Sequence, residues 1–132
     1  MRRSELREHL FKVLFQLEFG TPDEMPESIK LYIDGLENAE DQDKEYIRAK
    51  AEKIIAKVPE IDALIDEKSA DWKTKRMNKV DLEILRLAVY EMRWDDDIPV
   101  GVAINEAVEL AKKFSSDEGP SFVNGVLARQ EA

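Results

Sequence analysis

Hydrophobic positions recur at helical spacing along nearly the whole chain, and no convincing strand pattern interrupts them. A first predicted helix runs from about Ser4 to Phe19, with Leu6, Leu10, Val13 and Leu17 on one stripe and Phe11, Phe15 and Phe19 on another. Two apolar stripes imply two packing neighbours. Gly20, Thr21 and Pro22 stop this helix, and an acidic loop leads to Glu27. A second helix follows Pro26 and buries Ile29, Tyr32, Ile33 and Leu36, after which Glu37 to Lys44 form a polar connector. A third covers roughly Lys44 to Lys57, with Ile47, Ala51, Ile54 and Ile55 facing inward. Pro59 is predicted to end it and to open a fourth, carrying Ile61, Leu64 and Ile65.

Trp72 begins a basic connector, and Asn78, with Asp81 three residues on, predicts an N-cap for a helix from Lys79 to Trp94. Apolar residues surround most of that helix, the pattern of an element in the middle of a bundle. Asp95, Asp96 and Asp97 form a loop before Pro99, which introduces a helix carrying Ala103, Ile104, Ala107, Val108, Leu110, Ala111 and Phe114. The last helix opens at Pro120 and packs Phe122, Val123, Val126 and Leu127. Gly125 inside it costs roughly 1 kcal/mol relative to alanine, and close approach of a neighbouring helix is the expected reason.

Composition agrees with an all-α chain of about one domain. The 132 residues include five glycines and five prolines, fewer turn formers than a strand-rich chain needs. The absence of cysteine excludes disulfides, thiolate metal sites and a thiol nucleophile. No apolar run approaches the roughly 18 residues that span a bilayer, and the amino end lacks a signal-peptide core, so a cytoplasmic location is expected and no membrane partner.

The net charge of −9 argues against nucleic acid until its distribution is considered. Acids outnumber bases about two to one over residues 21 to 71 and again over 81 to 132, whereas residues 72 to 80 hold four bases and no acid. The first seven residues hold three arginines against one glutamate. Screening over about 8 to 10 Å lets two such patches act locally on an acidic body.

Nothing points to catalysis. His9, the only histidine, has Glu5 and Glu8 as its nearest acids in sequence and reads as a solvated or rim residue. Phosphate loops, zinc-protease motifs and nucleophile elbows are absent from the sequence. The three consecutive aspartates more readily cap a helix start than hold a cation. No enzyme activity, cofactor or metal is therefore expected.

Arg2, Arg3 and Arg7 sit at the amino end of the first helix, where the helix dipole favours anions, so together they form a site that attracts one. A guanidinium fork suits phosphate, but pairing with Glu8 or with acids near Glu118 explains the same residues. Lys73, Lys75, Arg76 and Lys79 present the same choice between a solvated loop and a phosphate contact. Arg86, on a mostly buried helix, either pairs with an acid such as Asp81 or Glu118 or reaches out to phosphate.

The segment from Ile98 to Leu127, IPVGVAINEAVELAKKFSSDEGPSFVNGVL, resembles the C-terminal signature of the NusB family of transcription antitermination factors. The resemblance continues through Trp72, Arg76, Asn78 to Asp81, and Ile84 to Glu91. It also reaches Arg3, Arg7, Leu14, Phe15 and Gln16 at the amino end. It implies about seven helices in two linked three-helix bundles, over about 1–71 and 72–132, forming a single domain over 1–132. It further implies a factor that binds boxA RNA of nascent ribosomal transcripts with the ribosomal protein NusE, and that suppresses termination by the elongating RNA polymerase.

On that reading Arg2, Arg3, Arg7, Lys75, Arg76, Lys79, Arg86 and Phe122 contact RNA, with the connector as the second wall of an RNA groove. Asp81 and Glu83 then face the protein partner. Phe122 and Phe15 are candidates to stack on bases, Asn124 to read a base edge, and each has a structural alternative. Asn105 and Glu106 are expected to hold the preceding loop. DNA is not an expected partner, and the residues leave open whether a homodimer covers the arginine site. The competing function is an acidic helical adaptor that binds proteins without touching RNA. A methyltransferase preceded by this fold is a further competitor, for which 132 residues leave no room. Ser115 replaces a glycine common in the family and Phe15 a tyrosine, and the amino end lacks the longest arginine runs. Stronger dependence on the protein partner is expected from the last.

Overall fold

Six α-helices appear where the hydrophobic period places them, in a computed structural model that describes residues 1–69 and 71–131. They are α1 Arg3–Phe15, α2 Met25–Asp34, α3 Asp41–Lys68, α4 Lys79–Trp94, α5 Val100–Phe114 and α6 Gly119–Glu131, with no strand among the described residues. The chain divides into two compact units, Met1–Ala56 and Lys57–Ala132. No helix is long and apolar enough to cross a membrane among the described residues.

Pro59 does not separate two helices, because it lies inside α3. The fully buried residues Ile47, Ala51, Ile54, Ile61 and Ile65 continue one apolar stripe past it, while Pro59 itself is exposed. Proline removes one helical hydrogen bond and costs about 3 kcal/mol in a helix interior. On the solvent side water can satisfy the freed carbonyl, and burial of the opposite face offsets the rest.

Within the first unit, α1 runs into a single 3-10 turn, Gln16–Glu18, where Phe15 and Phe19 meet edge to face at 5.1 Å. His9 is half-buried, and its Nδ1 lies 2.8 Å from the Tyr32 hydroxyl, which joins α1 to α2. Burial, followed by the nearby Lys12 charge, holds the imidazole below its ordinary pKa of 6.5.

Asp43, in the first turn of α3, reaches back to the Glu40 amide, which donates to its Oδ2 at 3.1 Å. This is one half of a capping box. The Met1 ammonium lies 3.2 Å from the same oxygen. The Glu40 hydrogen bond is the main cause that lowers the carboxyl from its ordinary pKa of 3.8; desolvation opposes it, and the ammonium adds a smaller lowering. Because the folded value is the lower one, the stabilisation is present above pH 3.8 and is lost as pH falls through the folded pKa. The thermal midpoint of helix loss should therefore decline more steeply below pH 3.8 in the native chain than in Asp43→Asn. Parallel circular-dichroism curves for the two proteins would refute this.

In the second unit, α4, α5 and α6 pack pairwise on one another. The start of α4 follows the predicted cap, with Asn78 Oδ1 accepting the Asp81 amide at 3.1 Å. Ala103, Ala107 and Ala111 of α5 are buried, as are Val123 and Leu127 of α6. Gly125 is exposed, and a Cβ there would meet nothing within 4 Å, so close helix approach is not its reason. The structure gives no account of that glycine.

Candidate nucleic-acid interface

The amino-terminal arginines separate into different environments. Arg2 is almost wholly exposed, and its Nε donates to Glu5 Oε1 at 3.1 Å, a surface pair that costs little to open. Arg3 is exposed and forms no ion pair among the described residues. Arg7 is only 4% exposed, so it does not belong to the open patch on α1 where the sequence places it. One helical turn separates it from Arg3, but the two fall on opposite sides of the boundary between surface and core.

The connector after α3 is fixed in place by hydrogen bonds. Asp66 accepts the Thr74 amide at 2.7 Å and the Thr74 hydroxyl at 3.1 Å. Ser69 Oγ accepts the Trp72 amide at 3.1 Å and donates to the Trp72 carbonyl. Lys73 folds back to donate to the Asp66 carbonyl at 2.8 Å. The chain then makes one 3-10 turn, Thr74–Arg76, and buries Met77. Lys75, Arg76 and Lys79 are left at the surface, Lys75 and Arg76 without an ion pair among the described residues. Hydrogen bonds thus hold the Trp72 and Thr74 backbone beside these cations, whose Lys75 and Arg76 side chains stay in solvent.

Beside them lies a cleft of about 270 Å³, bordered by Trp72, Arg76, Asn78, Asp81, Glu118 and Phe122. The Trp72 and Phe122 rings meet edge to face with centroids 5.9 Å apart, and Trp72 is 55% exposed. An open aromatic face next to an arginine suits a nucleobase whose phosphate the cation holds. Trp72 was not among the site residues read from the sequence. The available signal was a tryptophan immediately before a run of bases, in a connector with no apolar period to bury it.

Two predicted contacts are corrected by burial. Arg86 is only 11% exposed, and its fork grips Asp62 through Nε at 2.9 Å and Nη2 at 2.7 Å. Its Nη1 donates to Glu83 Oε2 at 2.9 Å. The guanidinium therefore joins α3 to α4 through Asp62 and Glu83 instead of presenting its fork to phosphate. Glu83 is fully buried and has no surface to offer a protein partner. Asp81 is 6% exposed and accepts the Ser115 hydroxyl at 2.6 Å, holding the end of α5 to the start of α4. Phe15 is half-buried among ring neighbours, Phe11 at 6.0 Å and Phe19 at 5.1 Å, while Asn124 is exposed. No group of three or more potential metal ligands occurs among the described residues.

The profile of the NusB family matches residues 4–131. The chain belongs to the NusB family. A NusB relative, the transcription antitermination protein of Agathobacter rectalis, is 56% identical over 129 residues, covering 98% of each chain. The NusB structure from T. maritima superposes with a TM-score of 0.86 at 34% identity, over 98% of this chain and 90% of that one. A solved complex of the antitermination factors NusB and NusE with double-stranded RNA contains a chain that matches with a TM-score of 0.78 at 25% identity, over 97% of this chain and 94% of that one. NusB membership thus rests on nearly the full length, including both the arginine-bearing α1 and the connector.

Proposed function

We propose that this chain is a transcription antitermination factor that binds boxA-type RNA of nascent ribosomal transcripts, acts with the ribosomal protein NusE, and suppresses termination by the elongating RNA polymerase. The observation that carries the RNA reading is the hydrogen-bonded connector, where surface cations flank an open tryptophan on an otherwise acidic protein. The relatives' function and the NusB–NusE–RNA complex support the same reading. Arg2 and Arg3 form one phosphate-binding element and Lys75, Arg76 and Lys79 another, with Trp72 and Phe122 stacking a base. Arg7 and Arg86 support the fold, and Glu83 acts through Arg86. Asp81 serves the cleft by fixing its floor. The protein is a non-catalytic clamp that works in the cytoplasm, and its acidic exterior suppresses unguided RNA binding while favouring the basic ribosomal partner.

Titration of a single-stranded boxA oligonucleotide at several salt concentrations tests this. Three or four neutralised phosphates give a log-log slope of about −2 to −3, and Lys75→Ala with Arg76→Ala, which removes two of them, should reduce its magnitude by about 1.4. Trp72→Ala should weaken binding by about 1 to 3 kcal/mol without changing the slope, because stacking releases no counterions. A slope that ignores the connector cations would remove them from the interface. An adaptor that never touches RNA would show no titration at all while still binding NusE.

A further inference from the structure

We propose that a second groove in the Lys57–Ala132 unit, sharing no residue with the RNA cleft, docks a basic, arginine-bearing peptide segment of a partner protein. It is lined by Glu60, Ala63, Leu64 and Glu67 from α3 and by Arg93 and Trp94 from the end of α4, and encloses about 460 Å³. The four α3 residues follow one helical face, so two carboxylates about 10 Å apart bracket a small apolar step. The indole of Trp94 stands across from them.

The groove's chemistry is already displayed by the chain itself. Lys57 places its ammonium 5.2 Å from the centre of the Trp94 ring and 3.5 Å from Glu60 Oε1. A cation therefore sits on the aromatic face, steadied by a carboxylate. The Lys57 and Glu60 side chains are 38% and 61% exposed, so this pair holds little energy and a stronger cation can replace it. Arginine stacks on an indole through a planar, weakly hydrated guanidinium, which a lysine ammonium cannot match. Asp95, Asp96 and Asp97 follow Trp94 directly and add negative charge at that end. Glu60, Glu67 and the three aspartates outnumber the two cations here, Arg93 and Lys57, so the groove stays net negative and attracts a basic segment, and Ala63 with Leu64 offers an apolar seat for one of its aliphatic residues.

This inference goes beyond the RNA reading and is tested without RNA. The chain has two tryptophans, so in a Trp72→Phe background Trp94 is the sole reporter. The probe is a short synthetic peptide with arginine and leucine at helical spacing, compared with its glutamate-for-arginine counterpart. The arginine peptide is expected to shift Trp94 emission saturably and the glutamate peptide not to. Glu60→Lys with Glu67→Lys should weaken binding about tenfold or more, since two facing charges are lost and reversed. Glu109→Lys with Glu131→Lys makes the same change in net charge outside the groove and should alter affinity by no more than about threefold. Lys57→Ala vacates the ring and should tighten binding. Equal losses for the two charge-reversed pairs, binding without any change in Trp94 emission, or weaker binding by Lys57→Ala would each overturn the proposal.

Discussion

Replacing Arg86 by alanine is expected to destabilise the second unit by about 3 to 5 kcal/mol, the cost of removing one member of a buried ion-paired group. The guanidinium donates twice to Asp62 and once to Glu83. Asp62 keeps 24% of its side-chain surface and can recover water when the arginine is lost. Glu83 keeps none, so its carboxylate must either remain charged in a dry site without the guanidinium or take up a proton. Most of the penalty therefore arises at Glu83. Urea unfolding followed by tryptophan emission measures it, because both indoles lie in this unit. Replacing Glu83, Asp62 and Arg86 together by apolar residues of similar volume should restore much of the loss, since an ion-paired group gains little over good apolar packing. A single Arg86→Ala change costing under about 1 kcal/mol would mean that the group is effectively solvated, and would return Arg86 to the list of candidate RNA contacts.

The second large effect is expected at Gly119, the first residue of α6. A Cβ at this position would fall on Ser115 Oγ, lie 2.5 Å from Ser115 Cβ and stand 3.3 Å from Asp81 Oδ1. The glycine is required by space, since no glycine among the described residues has a positive φ. Gly119→Ala must displace Ser115 and with it the 2.6 Å hydrogen bond to Asp81. Overpacking of this kind costs about 1 to 3 kcal/mol, and the broken bond adds about 1 more. Ser115→Gly removes the obstruction, so the double variant should be more stable than the sum of the two single losses predicts, by about 1 to 2 kcal/mol. Strict additivity in a double-mutant cycle would show that the two residues do not collide. Phe122 follows Gly119 by three residues, so the single variant should also weaken RNA binding at unchanged salt slope.

Much of the fold was legible from neighbours in the sequence. Asn78 with Asp81 marked the start of α4, and Pro99 that of α5, because a cap or an absent amide acts within three or four residues. Pro59 misled for the same reason. Its local preference is to interrupt a helix, but the buried stripe from Ile47 to Ile65 outweighs that preference through packing, which no short window contains. Gly125 misled in the opposite direction, since helical position suggested a close neighbour and the site faces open space.

The candidate interface was legible in kind and only partly in its members. Segregation of bases into residues 72 to 80 was evident, and Lys75, Arg76 and Lys79 are indeed at the surface. Arg3 and Arg7, four residues apart on one helix, looked equivalent, yet one is exposed and the other buried. Trp72 was read only as the start of the basic connector and is an open ring against Phe122, fifty residues later.

Helical class, most helix borders, family membership and the placement of charge along the chain all follow from the order of residues, because each depends on periodicity, capping or composition over a few turns. Which cation meets solvent, which acid receives Arg86 from 24 residues away, and which aromatic stays open were decided only when distant segments came together. Exposure and ion pairing are properties of what lies opposite a side chain, and in a packed helical chain the opposite surface is supplied from elsewhere in the sequence.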